Sequence, residues 1–250
     1  MQNWTPIKPA PKARIGLYSI GHSHYWDQFE GLLDRLNGYG KFIEERLSQW
    51  AEVYNFGMVD EEPKGRAAGE YFNKNNADLI FCHAATYAMS ASHIAVAQIC
   101  KRPVVVLNLQ PCIRMNYPET TTGEWLAHCV ACCVPEIANA FNRTGIPFHV
   151  VSGLLGLEET PEISAAEEDT AGHPEAVQAW KEIQEWTLAA GVRRTLQHGR
   201  MGFLGHTYPG MLDMYTDFTM IQGQTGMHVE ILEMCDLQRL VQEVSEEEKK

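Results

Sequence analysis

The sequence predicts an α/β protein, an open and mainly parallel Rossmann-like sheet with helices on both faces, followed by an incomplete second α/β domain. Two observations carry this. Short apolar runs alternate four or five times with segments whose apolar residues recur every three or four positions. One of those runs, Pro103-Val-Val-Val-Leu-Asn108, is almost wholly apolar, as a parallel strand covered on both faces should be. The composition agrees: 45% apolar and 21% charged residues over 250 positions are ordinary for a globular protein.

A Pro-rich extended lead (Pro6, Pro9, Pro11) precedes the first predicted strand, Arg14-Ile-Gly-Leu-Tyr-Ser-Ile20, which Gly21 ends. Residues 29–36 and 42–50 read as helical, broken at Gly38-Tyr-Gly40. Glu52-Val-Tyr-Asn-Phe56 is a second strand closed by Gly57, and residues 66–72 lie on a helix. Asp78-Leu-Ile-Phe-Cys-His83 is a third strand, residues 90–100 a helix, and residues 103–108 the fourth strand. A helix over residues 124–142 and a fifth strand, Phe148-His-Val-Val-Ser152, complete the pattern. An acidic loop spans residues 158–170. Val177, Trp180, Ile183 and Trp186 then mark an amphipathic helix over residues 174–190. Beyond a boundary near residues 194–199 the chain reads as strand (201–206), helix (211–220) and a further strand or extended run (227–234). The expected domains are therefore residues 1–197 and 198–250, the second too short to stand alone.

Twenty Lys and Arg against 32 Asp and Glu give a net charge of −12, which argues against nucleic acid or an anionic membrane as partner. No run approaches the roughly 18 apolar residues of a membrane helix, and residues 1–12 carry no secretory core, so a cytoplasmic location is expected. The seven cysteines are then expected to be reduced and mostly buried. Cys129-x-x-Cys132-Cys133 invites a zinc or redox reading, but no second ligand pair follows at finger spacing, and packing is the simpler role.

In an open parallel sheet, ligands bind beyond the carboxyl ends of the strands. Here those segments are Gly21-His22-Ser23-His24-Tyr25-Trp26, His83-Ala84-Ala85-Thr86-Tyr87 and Gln110-Pro111-Cys112. They hold histidines, aromatics and amides, and none resembles G-x-G-x-x-G or a P-loop, so no nucleotide cofactor is expected. His22 and His24 lack a carboxylate partner nearby in sequence, and a hydrogen-bonding role is favoured over metal ligation. His83 ends strand three, where function concentrates. Asp213 with Asp217 would share a helix face, as would Glu230 with Glu233 and Asp236 if that segment is helical, yet solvated or N-terminal helix faces are the favoured account of both sets. The methionines from Met201 to Met234 read as core filler.

The stretch Arg200-Met-Gly-Phe-Leu-Gly-His-Thr-Tyr-Pro-Gly-Met-Leu-Asp-Met-Tyr-Thr-Asp-Phe-Thr-Met220, continuing to Val229-Glu-Ile-Leu-Glu-Met-Cys-Asp-Leu237, resembles the opening of the central domain of the L-arabinose/L-fucose isomerase family. Ile20-Gly21 with Ser23-His24, residues 104–110 and residues 124–128 agree in order with that family's N-terminal domain. The resemblance implies aldose–ketose isomerisation through an enediol at a Mn²⁺ ion, whose ligands in the family lie downstream of Lys250. It implies a homo-oligomer, trimer or hexamer, in which this N-terminal portion lends lid residues to a neighbour's sugar site. By position those residues are Ser23, Tyr25, Trp26, Gln110 and His128. Ser23 stands where glutamine is usual, Tyr25-Trp26 replaces a Leu-Tyr pair, and Thr120-Thr-Thr-Gly-Glu-Trp125 replaces an asparagine-rich approach, which leaves the sugar open. Residues 1–250 alone are expected to lack isomerase activity. The competing expectations are a non-catalytic sugar-binding or assembly module, and a thiol or zinc protein using Cys129, Cys132 and Cys133.

Overall fold

The computed structural model describes residues 11–159, 170–205 and 210–247, apart from the side chains of Ala131 and Asp213. The Pro6 and Pro9 positions, most of the acidic loop and His206 therefore lie outside the described residues. Five parallel strands form one sheet: β1 (Arg14–Ile20), β2 (Glu52–Val59), β3 (Leu79–Ala84), β4 (Val104–Gln110) and β5 (Phe148–Leu154), in the order β2-β1-β3-β4-β5. Each connection crosses over through a helix, as a parallel pair requires. The sequence changes direction of growth between β1 and β3, so a topological switch point lies at their carboxyl ends.

The two faces of the sheet are read directly from alternation along β1. Ile15 and Leu17 point to one face, where Ile43 and Leu47 of α1 (Leu32–Leu47) and Trp180 and Ile183 of α6 (Pro174–His198) cover them. Tyr18 and Ile20 point to the other. There Phe72 of α2 (Glu62–Lys74), Val96 of α3 (Ser90–Cys100) and Phe141 of α5 (Val130–Thr144) complete the layer. The predicted fold class, an open α/β sheet with helices on both faces, is the one found.

Three boundaries differ from the sequence reading, each for a local reason. The glycines at 38 and 40 do not break α1. Gly40 is buried, and a Cβ there would lie 2.8 Å from Ser19 Oγ, so glycine lets the helix approach β1. Gly57 does not end β2. It adopts φ +89°, and the register passes from Leu17↔Asn55 to Tyr18↔Gly57, so Phe56 bulges and the strand continues to Val59. The helix expected over residues 124–142 is two helices, α4 (Thr122–Leu126) and α5, because the Leu126 carbonyl turns to accept the Thr86 hydroxyl at 2.7 Å.

Residues from Val192 onward form a separate compact unit. In it β6 (Arg200–Leu204) pairs parallel with β7 (His228–Leu232), accompanied by α7 (Phe218–Thr225) and α8 (Met234–Glu243). The helix expected over residues 211–220 is a 3-10 turn at Leu212–Met214, an extended Tyr215, and then α7. Asp217 is the N-cap of α7, its carboxylate accepting from Met220 N at 2.9 Å. Glu230 lies in β7, Glu233 stands at the N-cap position of α8 without a capping bond and Asp236 lies within the helix, so neither acidic set shares one helix face.

Candidate functional site

The loop after β1 is fixed by an indole. Trp26 Nε1 donates to Asp60 Oδ2 at 2.7 Å, and Asp60, only 4% exposed, also meets Lys64 Nζ at 2.7 Å. The ring lies so close to the chain that a Cβ on Gly21 would be 2.7 Å from it. Tyr25 stacks edge-on against Trp26 and Phe29, with centroids 6.5 and 6.1 Å away. Both rings pack onto a third apolar cluster, built on Leu32, Leu36, Ala85, Leu126 and Ala127. That cluster caps the carboxyl ends of the strands, and the half-buried Tyr25 and Trp26 pack the loop onto it.

The other predicted contacts are dispersed. Ser23 Oγ lies 3.4 Å from His24 Nδ1 at the surface. Gln110 ends β4 half-buried, its carbonyl accepting from Leu155 N. His128, 4% exposed, donates through Nδ1 to the Glu124 carbonyl at 2.8 Å, while its Nε2 has no partner among the described residues. Burial lowers its pKa. No hydrogen bond or ring contact among the described residues links Ser23, Gln110 and His128 to one another. His22 and His24 rings sit edge-on at 4.9 Å. No group of three or more His, Cys, Asp or Glu that could hold a metal ion occurs among the described residues.

His83 has a partner that sequence spacing does not reveal: Ser19 Oγ, 2.9 Å from its Nδ1 across β1 and β3. A serine beside an imidazole is the geometry of an activated nucleophile. Here, however, Ser19 is 3% and His83 1% exposed, and α1 closes over Ser19 at Gly40. Burial pushes the His83 pKa down to about 3, so the ring is neutral. The pair ties two strands together and no substrate reaches it.

The open polar space lies to one side of the capped strand ends. A crevice of about 600 Å³ opens where residues 28–35 meet residues 121–124, with Gln28, Phe29, Arg35, Thr122 and Glu124 on its walls. The start of α1 faces it. Gly31, at φ +77°, is the N-cap, and no side chain caps the helix; Leu32 N donates to the Phe29 carbonyl at 3.2 Å, which leaves the amides of Leu33 and Asp34 to a ligand or solvent. Arg35 is exposed and forms no ion pair among the described residues. Across the crevice the start of α4 is sealed. Thr121 Oγ1 accepts from Glu124 N, and the Glu124 carboxylate accepts from Thr121 N and its hydroxyl at 2.9 Å each. Those bonds hold the Glu124 carboxyl below the usual range. The spacing Thr121-Thr-Gly-Glu124 is a capping-box signal that would place the helix start at Thr122, two residues before the expected Glu124. Arg35 and the glycine-led start of α1 carried no motif.

The cysteines depart from expectation at one place. Cys129 and Cys132 form a disulfide across the first turn of α5. Cys82, Cys100, Cys112 and Cys133 are buried free thiols, and burial raises the pKa of each, Cys82 and Cys133 to about 12.

No protein-family model matches the chain, and no curated protein matches it. Among solved structures it is similar to a provisionally assigned acylhydrolase from Bacteroides fragilis NCTC 9343, at 12% identity and TM-score 0.34, covering 73% of this chain and 90% of the other. It is also similar to SuiB of Streptococcus suis, at 7% identity and TM-score 0.28, over 89% of this chain and half of that protein. Likeness at this level carries no functional argument for the chain. The family resemblance is corrected on other grounds: no isomerase family model matches the chain, and no group that could hold manganese occurs among the described residues. The aldose–ketose isomerase reading, its Mn²⁺ and its sugar-module alternative are accordingly set aside. No helix among the described residues is long and apolar enough to cross a membrane.

Proposed function

We propose that residues 12–191 form a binding domain for a small polar metabolite carrying a carboxylate or phosphate group, seated in the crevice between residues 28–35 and 121–124. The observation that carries this is the start of α1, which no side chain caps, beside the exposed Arg35, whose charge faces the Glu124 carboxylate across the crevice, at the carboxyl end of a parallel sheet. Helix amides and the macrodipole favour negative charge at that position, and a guanidinium adds a planar pair of donors. Phe29 supplies an apolar wall and Gln28 an amide, the mixture typical of small-molecule sites. The protein's overall charge of −12 opposes anions at long range, so recognition rests on these close contacts.

The test is a panel of small carboxylates and phosphates, read by amide chemical-shift perturbation. Perturbations should gather at residues 29–36 and 121–124. Arg35→Ala should weaken binding about 10- to 150-fold, the loss of about 1.5–3 kcal/mol expected of a hydrogen bond to a charged group. Binding that ignores Arg35→Ala, or shifts confined to other regions, would remove the proposal.

A further inference from the structure

We infer that Cys129 and Cys132 are a thiol–disulfide exchange centre, reacting with low-molecular-weight thiols and disulfides in the folded protein. The pair is built for exchange in three respects. First, the bridge spans a sequence separation of three, within one helical turn, so it closes no loop whose constraint would stabilise the fold appreciably. A bridge that holds little together is free to open. Second, the two sulfurs are unequal: Cys132 is exposed, whereas Cys129 is 5% exposed. Third, Cys129 is the N-cap of α5, a 15-residue helix whose first amides no side chain caps. A thiolate at that position is stabilised by the helix start, which makes Cys129 the better leaving group.

The reaction follows from that inequality. An external thiolate attacks Cys132 Sγ, the bond between the two protein sulfurs breaks, and its electron pair leaves with Cys129 as thiolate. A second external thiol then attacks the external sulfur of the mixed disulfide and releases Cys132. Two thiols become one disulfide while the protein disulfide becomes two thiols, with protons passing to the Cys129 and Cys132 sulfurs. Oxidation by an external disulfide is the reverse. The neighbouring thiols stay out of the exchange: Cys133 is fully buried, its Sγ donating to the Val130 carbonyl, and Cys82 is fully buried in β3. A low-molecular-weight thiol couple is the fitting partner because only one sulfur of the pair is open to approach.

The experiment equilibrates the full chain in glutathione buffers of graded ratio without denaturant, then alkylates and maps each cysteine by mass spectrometry. The expected result is that Cys129 and Cys132 change together with the buffer ratio while Cys82 and Cys133 stay unmodified. Cys129→Ser should trap one glutathione on Cys132, and Cys132→Ser should trap far less on Cys129. A pair that opens only when the chain is unfolded would overturn the inference. So would independent alkylation of the two cysteines in the oxidised wild type, or one equivalent of zinc bound through them. The wild-type titration stands even if a variant fails to fold.

Discussion

Trp26 is the position where two readings of the same residue give opposite outcomes. A ligand-facing indole would lose affinity and little stability on replacement. In the structure its Nε1 donates at 2.7 Å to a carboxylate that is only 4% exposed, and its ring fills the space above Gly21 and beside Met58. Trp26→Phe removes the donor to a charged acceptor, a loss of about 1.5–3 kcal/mol, softened by Lys64 on the other carboxylate oxygen. Truncating the second ring adds about 1 kcal/mol for unfilled space. The total of about 3 kcal/mol corresponds to a drop of roughly 6–12 °C in melting temperature for a chain of this size. The assay is thermal unfolding followed by circular dichroism, alone and in a double-mutant cycle with Asp60→Asn. The two substitutions should be non-additive, since each removes part of one contact. An unchanged melting temperature, or strict additivity, would refute the anchoring role.

Gly65 and Gly38 predict opposite signs for the same substitution. A Cβ at Gly65 would sit 2.1 Å from the Ser92 carbonyl oxygen where α2 meets α3, so Gly65→Ala should cost about 1–2 kcal/mol net of its helix-propensity gain. Gly38 is open to solvent in α1, so Gly38→Ala should stabilise by about 0.5–1 kcal/mol; urea midpoints measure both. His83 and His93 have folded pKa values lowered by burial to about 3 and about 4 from 6.5, so their stabilisation is complete above pH 6.5 and is lost as pH falls toward 4. Unfolding free energies from urea titrations between those limits should fall by about 1.4 kcal/mol per pH unit for each histidine, and His93→Phe should halve the slope, because neither nitrogen of that ring has a hydrogen-bond partner among the described residues. Leu204, Leu212, Ile231, Leu232 and Met234 are all more than 40% exposed in the unit from Val192 onward, so the chain should self-associate with concentration in light scattering. A monomer at every concentration would count against that face being sticky.

The sheet was legible because its central strands are continuous apolar runs: Val104 to Leu107 and Leu79 to Cys82 are buried residue after residue. Glycines were the main source of error, since sequence gives them one meaning and packing another. At 38–40 they read as a helix break, yet Gly40 is the seat for Ser19; at 57 glycine reads as a strand end, yet it is a bulge. The position of the site was legible only as a rule about carboxyl ends. Tyr25 and Trp26 belong to that end, but a polar loop and an aromatic lid have the same composition, and only the Asp60 contact tells them apart. Ser19 with His83 lies 64 residues apart, beyond any local pattern. The Cys129–Cys132 bridge was judged by the expected compartment, when its place at a helix start was the more telling feature.

Most helix starts at the carboxyl end of the sheet are completed by the chain's own groups; α6 begins with Pro174, and Glu175 N donates to His173 Nδ1 at 3.3 Å. At α2, Pro63 in the first turn removes an amide that would otherwise need a partner. At α3, Ser90 N donates to Glu136 of α5 at 2.9 Å, and the same carboxylate accepts from Tyr87, which holds its pKa below the usual range. At α4, Thr121 and Glu124 seal their own turn. Two starts remain without a side-chain cap or a proline: α1, led by Gly31, and α5, led by Cys129. A buried helix end left open costs free energy, so such ends persist where something else completes them. At α1 the surroundings are a 600 Å³ crevice and the exposed Arg35 guanidinium, which suit an anion. At α5 the residue in place is a sulfur, which the same field stabilises when it leaves as thiolate. The same electrostatic feature of the fold thus acts once toward a ligand, beside Arg35, and once toward a covalent bond, where the short bridge and the exposed Cys132 sulfur already favour opening.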